Sequence, residues 1–410
     1  MPAPSLTRPG GPRSMSERLN LMSPAMLADP YPTYAELRRD APVCQVDPGG
    51  FWAVTRHDDV VAVLKDTAVF SSEGFRAATK PAWLGHNPFG DSMLVLDPPA
   101  HGRLRSLVNR AFTPAAMARL EARVRAFAED IAARLPLGQP VDWVESLAMP
   151  LPASVIGELL GLDPSLHARF KRWTDDLTSI SPVTPDMTAR MEEIRTTVRE
   201  AEQYLTEVLA SRRREPADDM VTDLLRAQVD GQSLTDAELM SFLFLLLVGG
   251  LETTVHLLNH SALQLIAHPE VLDRLRADPA LIPRFIDEVL RYEPPVRSVY
   301  RLVMADTEIG GVRLPKGAKV LAMIGSACRD EAHFPDAHRF DIDRRGVTHL
   351  PFGHGIHFCL GAPLARLEAR LLFTALLPRV RRLSPAGPPE WRRALSMRGV
   401  TSLPVVAHPA

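Results

Sequence analysis

The stretch Phe352-Gly353-His354-Gly355-Ile356-His357-Phe358-Cys359-Leu360-Gly361 decides how this chain is read. Its two glycines before the cysteine permit a tight backbone path. After the cysteine, Leu360, Leu364, Leu367 and Leu371 recur at helical spacing. Pro363 falls in the first turn, where a missing N–H costs no intrahelical bond. Cys359 is therefore expected at a helix N-terminus. Free N–H groups and the positive dipole end favour a thiolate there, so its pKa is expected below the free value of about 8.5. The plain alternative is a small buried apolar residue.

A second apolar block lies upstream. Thr235 and Glu238 form a T-x-x-E capping box ahead of the run 239–251, and no proline intervenes before Pro269. The spacing predicts one helix of roughly 33 residues, about 50 Å long. Its middle reads Gly249-Gly250-Leu251-Glu252-Thr253-Thr254. Each interior glycine costs about 1 kcal/mol relative to alanine, and a buried glutamate costs more unless it is paired or protonated. A purely structural core helix has no reason to accept both. The functional reading is a groove beside a reactive centre, with Glu252 as a proton relay. The bland reading is a threonine bonded to its own helix carbonyl.

The rest of the chain bounds the answer. Its 410 residues carry a net charge of −2, which argues against a nucleic-acid partner. The cysteines are Cys44, Cys328 and Cys359, too few and too scattered for a disulfide framework, and they fit a reducing cytoplasm. Residues 1–22 read as a loose tail with no apolar anchor, and the run 239–251 is too short for a membrane span. Residues 70–99 show little periodicity. Residues 114–214 and 235–292 are helical, broken at 179–185 and ended by Pro294-Pro295. Short strands are expected at 51–55, 307–309, 312–314 and 318–323. The fold class is mainly α with a minor β portion near 45–56 and 296–325, in one domain over 23–410.

The cysteine window matches F-G-x-G-x-H-x-C-x-G at every fixed position, and on that ground the chain resembles the soluble bacterial cytochrome P450 family. The resemblance extends from Asp29-Pro30-Tyr31-Pro32 to Leu403-Pro404, with the motifs in order. It implies a haem-thiolate monooxygenase that inserts one atom of O2 into a hydrophobic small molecule, as a hydroxylation or epoxidation, in secondary metabolism. The cofactor would be haem b, iron protoporphyrin IX, between the long helix and the helix after the cysteine. Cys359 would be the iron ligand, with Phe352, Gly361, Gly249 and Gly250 around the macrocycle. His101 and Arg105 of the D-P-P-x-H-x-x-x-R segment, with Arg301 and His357, would hold the propionates. Thr253 would hydrogen-bond dioxygen, and Glu252 would relay protons to it. Glu288 and Arg291 form E-x-x-R, with Arg339 as third member of that structural network. Cys328 stands where relatives often carry Asn, and is read as a buried thiol without a role.

Substrate-pocket walls are expected from Phe75, Trp83, Leu245, Val248, Val296, Val299 and Val400, with Phe89 and Trp173 as further aromatic candidates. Arg297 either pairs with a substrate carboxylate or snorkels outward. Electrons would come from ferredoxin and ferredoxin reductase, docking near Arg103, Arg110, Arg366 and Arg370, or those arginines form an ordinary solvated face. A cytoplasmic monomer is expected. A peroxide-driven peroxygenase would carry Arg-Pro in place of Glu252-Thr253. A haem gas sensor or carrier would need no acid–alcohol pair.

Overall fold

The computed structural model describes residues 18–162, 166–180, 188–346 and 350–410. The expected break at 179–185 falls largely outside them.

The central helix runs Asp236–Ala267, and both hydrogen bonds of the Thr235–Glu238 capping box are made. It ends at His268, and Pro269 opens the next helix, Pro269–Ala277, where proline is tolerated. Most of its side chains are buried, because it crosses the large helical core and packs against Pro150–Leu159, His167–Ser179, Ile282–Tyr292 and Ala362–Leu376. It is long and apolar enough to cross a membrane. However, 67% of its most apolar window is buried inside the protein, as in a core helix.

The β portion is larger than the sequence suggested. A six-stranded mixed sheet has the order Leu19–Asn20, Val43–Asp47, Phe51–Val54, Lys319–Ala322, Val299–Val303, Phe70–Ser71. Phe51–Val54 lies parallel to Lys319–Ala322, although more than 260 residues separate them, roughly counted from the register. Leu19–Asn20 pairs with Val46 and Asp47, and Leu21 is buried, so the end of the expected tail belongs to the fold. A hairpin joins Thr307–Ile309 to Val312–Leu314 through Gly310 and Gly311, both at positive φ, as a two-residue turn between twisted strands requires. A second sheet pairs Val380–Pro385, Pro404–Pro409 and Pro140–Asp142, none of it expected from the sequence. These strands carry proline at their ends, which hides them from a period-two reading. A further hairpin, Glu390–Trp391 with Val400–Ser402, brings the C-terminal segment over the central helix.

The buried Glu288–Arg291 pair is present, with two hydrogen bonds of 2.8 and 2.7 Å. Arg291 also donates to the carbonyls of Cys328, Ala337 and Arg339. The third side chain is not Arg339, which is exposed and offers only its carbonyl. It is Arg344, whose Nε lies 3.4 Å from Glu288. Arg344 further ties down the carbonyls of Pro335 and Asp336. Local spacing fixed the first two members, whereas the third depends on how the loop turns back. Cys328 is fully buried, and burial pushes its thiol up to about 12, in keeping with an inert residue.

Candidate active site

Cys359 sits between a tight glycine-containing loop and the helix Ala362–Leu376. Gly353 and Gly355 both adopt positive φ, and a Cβ on Gly355 would lie 2.7 Å from the carbonyl oxygen of Leu64. Glycine at 355 thus lets the loop lie against the helix His57–Lys65. The Cys359 N–H donates to the Phe352 carbonyl at 2.9 Å, closing the loop. The N–H groups of Gly361 and Ala362 lie on the sulfur's side and favour its ionised form, as a helix N-terminus provides.

The thiol nevertheless does not titrate low. Burial pushes it up and outweighs those N–H groups and the charges of Arg105 and Arg366. The expectation of a lowered pKa from the helix terminus alone is therefore corrected: desolvation wins, and a bound metal is what makes such a thiol a thiolate. A Cβ on Gly361 would meet nothing nearer than the Cys359 sulfur, at 3.9 Å, so this side of the loop is open. The Arg366 guanidinium stacks over the Phe352 ring at 4.4 Å.

The middle of the central helix has one unpacked face. Leu245, Gly249 and Thr253 recur at i, i+4 and i+8. Leu245 and Thr253 are half-buried and Gly249 is exposed, within a helix otherwise mostly buried. A Cβ on Gly249 would meet nothing within 4 Å. Gly250 is different: a Cβ there would lie 2.3 Å from Ile156, so it serves helix packing and not a ligand, against expectation. Thr253 Oγ1 donates to the Gly249 carbonyl at 2.7 Å. Glu252 is buried one residue earlier, with Arg392 against its carboxylate and His256 Nε2 3.5 Å away. Burial opposes its ionisation, but His256, Arg392 and the Thr178 hydroxyl together draw the carboxyl below its ordinary range.

Four bases converge near the cysteine loop. His101 and His357 have ring centroids 4.3 Å apart. Arg105 donates to the Phe358 carbonyl at 2.8 Å, and Arg301 to its own neighbour, the Tyr300 carbonyl, at 2.7 Å. The nearby acid, Asp97, is engaged by the Ser71 hydroxyl and the Ser72 N–H. The bases thus lack an anion. Burial and their mutual repulsion push His357 down to about 3, and burial brings Arg301 down to about 10. Among the described residues, His101 Nε2 and Arg301 Nε are buried without a hydrogen-bond partner. Orphaned donors of this kind call for an anionic ligand, and two carboxylates on a macrocycle held by Cys359 would satisfy them. Ser72, whose hydroxyl lies 2.9 Å from His357 Nε2, was not foreseen, because nothing in the sequence marks it.

Other expected positions divide. Phe75, Trp83, Leu245 and Val248 are partly buried against the main core, Val296 and Val299 against the second cluster, and Val400 is buried. Phe89 and Trp173 are core residues. Arg297 neither faces a ligand nor snorkels outward. It is buried and donates to the carbonyls of Leu395 and Ala394, at 2.8 and 2.7 Å, stapling the C-terminal segment to the sheet. Three of the four arginines of the expected basic patch carry carboxylate partners: Arg103 with Glu238, Arg366 with Asp287 and Arg370 with Glu121.

The structure thus holds a half-buried cysteine just before a helix N-terminus, an open face on the central helix, and bases with unmet hydrogen bonds near the cysteine loop. Residues 42–392 match the cytochrome P450 family, and the chain belongs to it. It is 41% identical over 389 residues to cytochrome P450 monooxygenase PikC of Streptomyces venezuelae, covering 92% of this chain and 91% of that protein. It is 37% identical over 401 residues to 6-deoxyerythronolide B hydroxylase of Saccharopolyspora erythraea, covering 94% and 98%. The solved structure of cytochrome P450 CYP109Q5 from Chondromyces apiculatus superposes with a TM-score of 0.87 at 41% identity, covering 96% and 99%. The protein is accordingly a haem-iron oxidoreductase that uses O2.

Proposed function

We propose that this chain is a monooxygenase holding iron protoporphyrin IX through Cys359, with its propionates on His101, Arg105, Arg301 and His357. The observation that carries this is the coincidence of a sulfur presented by helix N–H groups with buried donors that have no partner. When bound, thiolate-ligated haem iron supplies the O–O cleavage chemistry. The residues around it do the rest. The loop 352–361 fixes the sulfur, and the exposed Gly249 face of the central helix leaves room for a ligand. Thr253 Oγ1, on that face, can exchange its bond to Gly249 for one to a ligand in the groove. Glu252 provides the carboxyl that supplies a proton to Thr253 Oγ1.

The substrate class proposed is a medium-sized hydrophobic molecule such as a fatty acid, terpenoid, steroid or polyketide product. The relative named as a 6-deoxyerythronolide B hydroxylase supports hydroxylation of a compound of that size. Electrons are proposed to come from a ferredoxin and its reductase, in the cytoplasm, to a single catalytic domain. The carbon monoxide difference spectrum of the reduced protein tests the assignment. A thiolate-type Soret band is expected in the wild type and its loss in Cys359→His, and an imidazole-type band in the wild type would refute it. A spin-state screen of the Soret band against a hydrophobic compound library then identifies the substrate.

A further inference from the structure

Glu252 shares its helix face with two histidines. Positions 252, 256 and 260 recur at i, i+4 and i+8, about 100° round the helix from Thr253. His256 and His260 are both buried. Neither ring nitrogen of His256 has a directed hydrogen bond. Leaving such a group buried is unfavourable, and an apolar residue would fill the space without that cost. The fold has nonetheless been shaped around the ring. The C-terminal segment crosses it so closely at Gly399 that a Cβ there would lie 2.0 Å from His256 Nδ1. The segment thus lies against the Nδ1 side of the ring, whose Nε2 is the nitrogen 3.5 Å from Glu252.

The charged groups facing His256 come from four elements. On its own helix lie Glu252 and, one turn on, His260, whose ring centroid is 6.4 Å away. Burial holds His260 down to about 4, and its Nδ1–H donates to the Glu293 carbonyl. The C-terminal segment brings Arg392 and Arg398. Arg398 is committed to Glu293 and to the carbonyls of Leu27 and Ala28. Glu293, after the helix Ile282–Tyr292, is committed to Arg398, Arg329 and Tyr31. The helix His167–Ser179 brings Asp175, whose carboxyl burial raises, and Thr178, which accepts from Arg392 at 2.9 Å. Among the described residues, Glu252 is the carboxylate paired with His256.

We propose that His256 is a positioning residue for Glu252: together with Arg392 it holds the carboxylate on the C-terminal side of the helix and so gates its turn toward Thr253. This rests on Glu252 and Thr253 being the proton path. His256 and Arg392 together hold the Glu252 carboxylate from this side. Without the imidazole, Arg392 and the Thr178 hydroxyl remain on the carboxylate, and its release becomes easier.

The test uses the haem-loaded enzyme and the variants His256→Gln, His256→Leu and Glu252→Gln, each checked for haem content and thermal midpoint. Infrared difference titration reads Glu252 directly, its protonated-carboxyl band being assigned by its disappearance in Glu252→Gln. That band is expected to appear at a higher pH in both His256 variants than in the wild type. In parallel, the ratio of electron-driven to peroxide-driven turnover is followed against pH. Both His256 variants should raise that ratio several-fold over the wild type. An unmoved carboxyl band, or an unchanged ratio in His256→Gln, overturns the proposal. The parent reading fails separately, if Glu252→Gln itself leaves the electron-driven ratio untouched.

Discussion

Two kinds of charge cluster stand among the described residues, and arginine is common to both. Around Glu288 and Glu293, each carboxylate is surrounded by cations and donors. Glu288 takes Arg291, Arg344 and the Asp341 N–H, and Glu293 takes Arg398, Arg329 and the Tyr31 hydroxyl. Around the cysteine loop, His101, Arg105, Arg301 and His357 gather with their nearby acid already engaged and two donors left over. The saturated clusters are closed to any ligand and hold the fold together. The unsaturated one is the place for a ligand, because buried donors are retained without partners where something else will supply the acceptor. Charge density alone does not separate the two, but the count of unmet hydrogen bonds does.

The largest effect should come from breaking a saturated cluster. Glu288→Ala leaves Arg291 buried and unpaired, which costs about 3–5 kcal/mol, read from the denaturation midpoint. Arg344→Ala should destabilise visibly, whereas Arg339→Ala should change little, since Arg339 offers only its backbone. If Arg339→Ala were the more damaging, the third member of the network would be misassigned.

Arg301→Met probes the unsaturated cluster. Losing a charge-assisted bond of about 1.5–3 kcal/mol should lower haem affinity by about tenfold to a hundredfold, measured by haem transfer to apomyoglobin. Stability of the haem-free chain should hold or rise, because a buried cation with an orphaned Nε is removed. A fall in apoprotein stability as large as that of Glu288→Ala would erase the contrast between the clusters.

His260 sharpens the comparison through pH. Burial lowers its folded pKa to about 4, below an unfolded value of about 6.5. The unfolded chain therefore binds the extra proton, so this contribution is complete above about pH 6.5 and is lost as pH falls toward 4. The thermal midpoint of His260→Gln should fall less steeply than that of the wild type across this window, and parallel curves would contradict it.

The smallest effect belongs to the surface. Arg370→Ala removes a pair with Glu121 whose side chains are each 38% exposed. Less than about 1 kcal/mol of stability is at stake. Ferredoxin-supported turnover should also change little, and a large drop would restore this arginine to the docking face.

The sequence by itself determined the elements whose signals are local. The cysteine loop and its following helix, the capping box and the uninterrupted central helix, and the Glu288–Arg291 spacing were all legible, since each rests on neighbours within a turn or two. His101, Arg105, Arg301 and His357 were named from motifs, and the structure brings them together. Tertiary structure alone decided which way the remaining groups face. Arg297 turned inward to backbone carbonyls, Gly250 packed against Ile156, and Arg344 displaced Arg339. Arg392 and Gly399 reached Glu252 and His256 from about 140 positions away in the chain, roughly counted. Periodicity assigns a residue to a face of its own helix. What covers that face is set by chain segments far away in sequence, and their arrival leaves no mark on the local pattern.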